Sequence, residues 1–464
     1  MRLGCRPYHA PGRAAAVRVS STKREMGALR RSWAAALLLV CLFCLIPPAQ
    51  ALAAGGAFTT QHRLGFRLGD DWEPALAADG SGHVYALYKH YPVPGGGGCS
   101  GCNLHLLLQR SGDGGGTWSA PVPIAPGPVM DGQHDSQIAV DPLDPHKVWA
   151  SLMQHTNADI EVVRSVDRGK TWSPPVIVST GPPNKDKDEL AVRGDLAVVA
   201  YDDGRNTWAS VTTDGGATWH VHLVFPHSKQ FGISLAGSAV IDSAGRIFVS
   251  WDSFDQAHAA NGDGQTTLWV SRSLDGGVTW DRTVVGISGT PPPCPGCGWD
   301  YLGPAMVMAV GRDDSLYTLW QASAPQAVGA PERIYLARSS DHGHSYSLPV
   351  DVSDAPSGVE HSFPAIVAGL RPGSVGVGWM DTRTGSWNVF FRQSRDGGRT
   401  FGAAKQVSSY VPGYSYLTPA GFGLPYGDYW SMAVGRDGEV DLAFGEGPNY
   451  AGPGNIWFAR SSGM

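Results

Sequence analysis

Long apolar runs, cysteines and, over most of the chain, basic residues are scarce. The longest apolar run, Trp33 to Ile46, is about fourteen residues, short of the roughly 20 that a membrane-spanning helix needs. With Arg30-Arg31 before it and Pro47-Pro48-Ala49-Gln50-Ala51-Leu52-Ala53 after it, the run reads as an export signal. The expectation is a leader over residues 1–53 and a single domain over 54–464, beginning near Ala54, with no membrane span. Translation could start at Met1 or Met26, and Arg30-Arg31 leaves twin-arginine export open. The leader takes eight of the 35 Lys and Arg residues and one of the 41 Asp and Glu, leaving 27 against 40 and a net charge of −13. So acidic a surface argues against nucleic acid and anionic membranes as partners. Long amphipathic helical patterns are also missing, whereas 61 Gly, 34 Pro and 16 Trp fit many short strands joined by turns.

Four cysteines remain after the leader, as the two CxxC pairs Cys99/Cys102 and Cys294/Cys297. In an oxidising compartment they form local or cross-loop disulfides. The alternative is a four-thiolate metal site, because paired CxxC is the spacing such sites use.

What the chain has in abundance is one phrase, Ser-x-Asp-x-Gly-x-Thr-Trp, in six versions: Ser111–Trp118, Ser165–Trp172, Thr212–Trp219, Ser273–Trp280, Ser339–Tyr346 and Ser394–Phe401. Its acidic residue (Asp113, Asp167, Asp214, Asp275, Asp341, Asp396) accepts backbone N–H bonds, its glycine turns a φ > 0 corner, and its aromatic packs inward. These six residues are therefore expected to be structural. The phrase resembles the Asp-box, or bacterial neuraminidase repeat, of the sialidase-like β-propellers, and that resemblance implies an all-β propeller of four-stranded antiparallel blades.

Seven pairs of first and second strands can be counted, centred near Pro74, Gln137, Glu189, Gly237, Pro304, Pro364 and Trp430, but only six phrases follow them. The seventh unit stops near Ser462 without a return strand. The segment Phe58–Leu68 is predicted to supply it and close the ring. Seven blades are favoured over the six usual in sialidase catalytic domains.

In a propeller, the loops entering the innermost strands surround one end of the axis. Here they carry Asp71-Trp72-Glu73, Asp131 with His134-Asp135, Asp188-Glu189, Asp300-Tyr301, Glu360-His361 and Tyr426 with Asp428-Tyr429. Acids beside aromatic rings suit carbohydrate, since sugar faces stack on rings and hydroxyls bond carboxylates. Trp72, Glu73, His134, Asp135, Asp188, Asp300, Tyr301, Glu360, His361, Arg383 and Asp428 are the candidate ligand-binding residues. No cofactor is required, although a ring of acids could hold a divalent cation.

The sialidase resemblance further implies an Asp acid/base, here Asp71 or Asp131, a partner acid, Glu189, and a Tyr nucleophile, Tyr426 or Tyr429. Phe66-Arg67-Leu68-Gly69 is similar to the family's Phe/Tyr-Arg-Ile-Pro motif but lacks its proline. Arg205 and Arg383 sit in corresponding hairpins beside Asp residues, so a three-arginine clamp for a sialic acid carboxylate is incomplete. Two readings stand: an exported, monomeric propeller binding a glycan or an extracellular protein, or an exo-α-sialidase or related glycoside hydrolase.

Overall fold

The computed structural model describes residues 57–65, 68–92, 104–125, 132–154, 157–226, 231–255, 265–292, 305–425, 427–449 and 452–462. Outside them lie residues 1–56, which include the expected leader, and Phe66, Arg67, Asp131, Asp300, Tyr301, Tyr426 and the cysteines Cys99, Cys102, Cys294 and Cys297.

Six sheets each take four consecutive strands in chain order. Their first strands are Asp70–Ala78, His134–Val140, Asp186–Arg193, Phe231–Ile241, Met306–Val310 and His361–Ala368, and they define blades one to six. Blade seven is built from Ser431–Val434, Val440–Gly447 and Asn455–Arg460, and its outermost strand is the N-terminal His62–Leu64. Register there is His62 opposite Phe458 and Leu64 opposite Ile456, with Thr59 N–H donating to the Arg460 carbonyl at 2.8 Å. First strands of successive blades touch one another in order, and that of blade seven touches that of blade one. The ring therefore closes as a seven-bladed propeller, and no helix occurs among the described residues.

Period-two alternation turns one set of side chains on each sheet toward the preceding blade and the other toward the following one. Each of the seven large apolar clusters accordingly lies between two neighbouring blades, such as Trp149, Met153 and Val162 of blade two against Leu190, Val199 and Tyr201 of blade three. Blades seven and one meet through Phe458, Ile456, Tyr88 and Leu76. Trp251, Trp320, Trp379 and Trp457 are among the largest fully buried side chains. Truncating one to Ala costs about 3–5 kcal/mol.

The six phrases share one turn geometry. In the first, Ser111 Oγ donates to Asp113 Oδ1 (2.7 Å) and accepts the Gly115 N–H (2.7 Å), while Thr117 donates both its N–H and its hydroxyl to Asp113 (2.8 and 2.7 Å). The same bonds recur around Asp167, Asp214, Asp275, Asp341 and Asp396. The phrase requires glycine for two reasons. Gly398 has φ 79°, and a Cβ there would stand 2.3 Å from Leu336 of the preceding blade.

Candidate functional site at the propeller axis

Backbone irregularity marks the opposite ends of the blades. In blades one, two, three and six the innermost strand carries a register shift, and at it a non-glycine residue adopts positive φ: Glu73 (52°), Asp135 (34°), Lys187 (53°) and Phe363 (51°). A bulge re-aims the side chain it carries, and strained residues of this kind gather at functional sites. In blade seven the innermost strand is broken: Leu424–Pro425 and Ser431–Val434 both pair with Val440–Gly447. The segment between them brings Asp428, Tyr429 and Trp430 to the axis.

An axial cavity of about 210 Å³ is lined from all seven blades, by Ala75, Gln137, Glu189, Ala236, Met306, Phe363 and Tyr429 among others. Its polar lining includes Gln137, Lys187, Glu189, Asp252, Asp428 and Tyr429 with Ser238 and Ser431, and the remaining lining residues, most of them from blades four to six, are largely apolar. Lys187 Nζ is paired with Asp428 and lies 5.6 Å from the centre of the Tyr429 ring. The Tyr429 hydroxyl accepts the Ser136 N–H at 2.8 Å, and Glu189 accepts from the Gln137 amide at 3.5 Å. Glu73 and Asp135 stand behind this wall. A Cβ on Gly427 would meet Glu73 at 2.7 Å, and Asp135 accepts the Lys187 N–H at 3.2 Å.

Electrostatics at the axis follow from burial. Desolvation pushes Glu73 up to about 8 despite Lys89, with Asp135 and Asp428 adding to the rise. Burial likewise lifts Asp186 to about 7 and Asp252 to about 8. Burial, then the neighbouring Asp188, holds Glu189 well above the carboxylate range. Although burial disfavours its charge, Asp428, Asp135 and Asp186 keep the Lys187 ammonium firmly protonated. Tyr429 is pushed well up by burial, Asp135 and Glu73, so its phenolate is disfavoured and it suits hydrogen bonding better than nucleophilic attack. His134 drops to about 3 through burial and Lys89 and is neutral.

Of the residues singled out from the sequence, Glu189, Asp428 and Tyr429 line the cavity, with Glu73 and Asp135 behind them. Asp188 is buried and takes the Ser151 hydroxyl. Trp72 packs on Tyr91 (5.4 Å) below Lys89. Others are tied up in contacts within their own blade or with the neighbouring one. Asp71 is fully buried, with His90 Nδ1 at 2.8 Å and Arg63 at 3.7 Å, and thus links the N-terminal strand to blade one. Arg383 forks onto Asp381 (2.7–3.0 Å) and lies 4.1 Å from the Phe390 ring centre. His361 is fully buried against the Glu332 carbonyl (2.8 Å), and the Glu360 carboxyl accepts the Glu332 N–H (3.2 Å) while burial raises it to about 7. Among the described residues no arginine lines the cavity, and no group of three or more His, Cys, Asp or Glu is arranged to hold a metal ion.

Sequence reasoning missed Lys187 and Asp252. Asp252 was detectable: it lies on a second strand in the aromatic-acid pair Trp251-Asp252, matching Tyr201-Asp202 on the second strand of blade three. For Lys187, lying among acids in Lys185–Glu189, nothing in the sequence separates an axial lysine from a solvated one.

No family model matches the chain. A xyloglucanase from Paenibacillus sp is 27% identical over 287 residues, 57% of this chain and 26% of that protein. A xyloglucanase from Acetivibrio thermocellus is 29% identical over 165 residues, 31% of this chain and 19% of that protein. The chain thus spans about a quarter or less of the length of these relatives. Among solved structures, a Dyadobacter fermentans protein of unknown function superposes with a TM-score of 0.50 at 14% identity, covering 88% of this chain and 98% of that one. The phage phi92 endosialidase gives 0.50 at 12%, covering 88% and 69%. The fold is sialidase-like. Together the sequence and fold likenesses describe a glycoside-hydrolase-like propeller, and no helix among the described residues is long and apolar enough to cross a membrane.

Proposed function

We propose that this chain is an exported, glycan-active propeller that takes a neutral saccharide at its axial cavity and hydrolyses a glycosidic bond with Glu189 and Asp428. The carrying observation is the composition of the cavity wall: carboxyl groups, a tyrosine and an amide, whose one cation, Lys187, is already paired with Asp428. Sugar hydroxyls find acceptors and donors there, and C–H faces find the apolar wall of Ala236, Met306 and Phe363. A sialic acid carboxylate would instead face acids with no free cation, a repulsion of a few kcal/mol at short range in a partly desolvated site. The names of the xyloglucanase relatives point the same way, to uncharged glucans.

In this reading Glu189, whose proton burial and Asp188 help it retain, gives that proton to the leaving oxygen as the C–O bond breaks, and Asp428 receives the proton of the attacking water. A binding-only propeller is the second reading. The direct Lys187–Asp428 pair favours it, because that pair engages the carboxylate a base would use.

The test is to offer the purified protein xyloglucan and cello-oligosaccharides beside sialyllactose, measuring affinity by calorimetry and new reducing ends by a colorimetric assay. Binding and cleavage of the neutral glucans is the expected result; binding without cleavage selects the second reading. Release of sialic acid, or no saccharide binding at all, overturns the proposal.

A further inference from the structure

Lys187 is placed unlike a surface lysine. It holds the left-handed bulge position of blade three, at φ 53°. Its N–H faces Asp135 of blade two at 3.2 Å and its own neighbour Asp186 at 3.0 Å. Its side chain leaves blade three and meets Asp428 of blade seven. Two blades separate these on one side and three on the other, so the pair spans the axis. Glu189, two residues on and facing the same cavity, is bonded by the neutral Gln137 amide.

Many charges converge here. Blade one brings Glu73 and Lys89, and blade two brings Asp135. Blade three adds Asp186, Asp188 and Asp202, blade four Asp252, and blade seven Asp428 with Tyr429. Acids outnumber the two ammonium groups, so reach decides which acid is served, and the bulge directs Lys187 to Asp428.

We infer that Lys187 is a positioning residue that fixes Asp428 as the charged carboxylate of the axial cavity and leaves Glu189 as its uncharged counterpart. The inference deepens the glycan-site reading, on which its functional meaning rests, by saying how two acids in one cavity are kept in different states. Like-charged carboxyls sharing a site otherwise titrate as a pair. A cation reaching one of them breaks the tie.

The experiment is a ¹³C-detected titration of the side-chain carboxyls in the intact protein, with Asp428→Asn and Glu189→Gln identifying the two signals. The result expected for the wild type is two separate titration steps rather than one shared step. In Lys187→Met the Asp428 step moves up by about one pH unit or more, and in Lys187→Arg it keeps its wild-type order relative to Glu189. Thermal midpoints identify variants that fail to fold, and Lys187→Gln carries the same expectation as Lys187→Met if the latter does. Asp428 and Glu189 titrating together in the wild type, or an unmoved Asp428 step in a folded, uncharged Lys187 variant, overturns the inference. The titration needs no ligand. Absence of saccharide binding therefore sinks the glycan reading alone, whereas an unmoved step sinks the role of Lys187 alone.

Discussion

The two ends of the blades use the same acid in opposite ways. At the six turns the carboxylates are exposed or half-buried and bonded by their own phrase: backbone and side-chain bonds from Thr117 hold Asp113 at about 2, and those from Thr279 hold Asp275 at about 2. At the axis the carboxyls come from different blades and have fewer donors, and burial raises Glu73, Asp186 and Asp252 toward or beyond neutrality. Local repetition yields satisfied acids, which stabilise. Convergence from distant segments yields under-satisfied ones, which are available to a ligand.

That contrast is open to attack, most sharply through the axial acids. Glu189→Gln is expected to lower reducing-end release from neutral glucans by about 10²- to 10⁴-fold with an unchanged fold by circular dichroism. Activity within error of wild type would remove Glu189 from the chemistry. Next in size, Asp396→Ala removes three or more turn bonds and should lower the melting temperature by several degrees while calorimetric glycan affinity stays put. A larger change in affinity than in stability would erase the distinction between the two ends.

The pH dependence of stability separates the ends more subtly. Glu73 and Asp252, raised to about 8 when folded and near 4 when unfolded, contribute stability that is fully present below about pH 4 and lost as pH rises through about 8. Asp113 and Asp275, lowered to about 2, contribute stability present above about pH 4 and lost as pH falls through about 2. Urea midpoints across this range should therefore show that Glu73→Gln flattens the alkaline limb alone and Asp275→Asn the acid limb alone. The smallest effect is assigned to Tyr429→Phe, which deletes the acceptor of the Ser136 N–H: turnover stays within about tenfold. Complete loss, with trapping of a tyrosyl adduct, would restore tyrosine as nucleophile.

Part of the site was legible in the sequence. Glu189, Asp428 and Tyr429 were found because loops entering inner strands must reach the axis. Asp71 and Glu73, two residues apart, looked equivalent there, yet Asp71 is tied to His90 and Arg63 while the bulge at Glu73 turns that side chain toward Gly427. Arg383 and Lys187 are both cations beside acids. One folds back onto Asp381 in its own blade, and the other crosses the axis to Asp428.

By itself the sequence determined the blade unit and its number, since the turn phrase closes its hydrogen bonds within five residues and strand alternation repeats with it. Only the tertiary structure decided which acids share a cavity and which of them meets a cation. Those encounters join residues as far apart as Lys187 and Asp428, and they depend on ring closure and on bulges that no local pattern encodes.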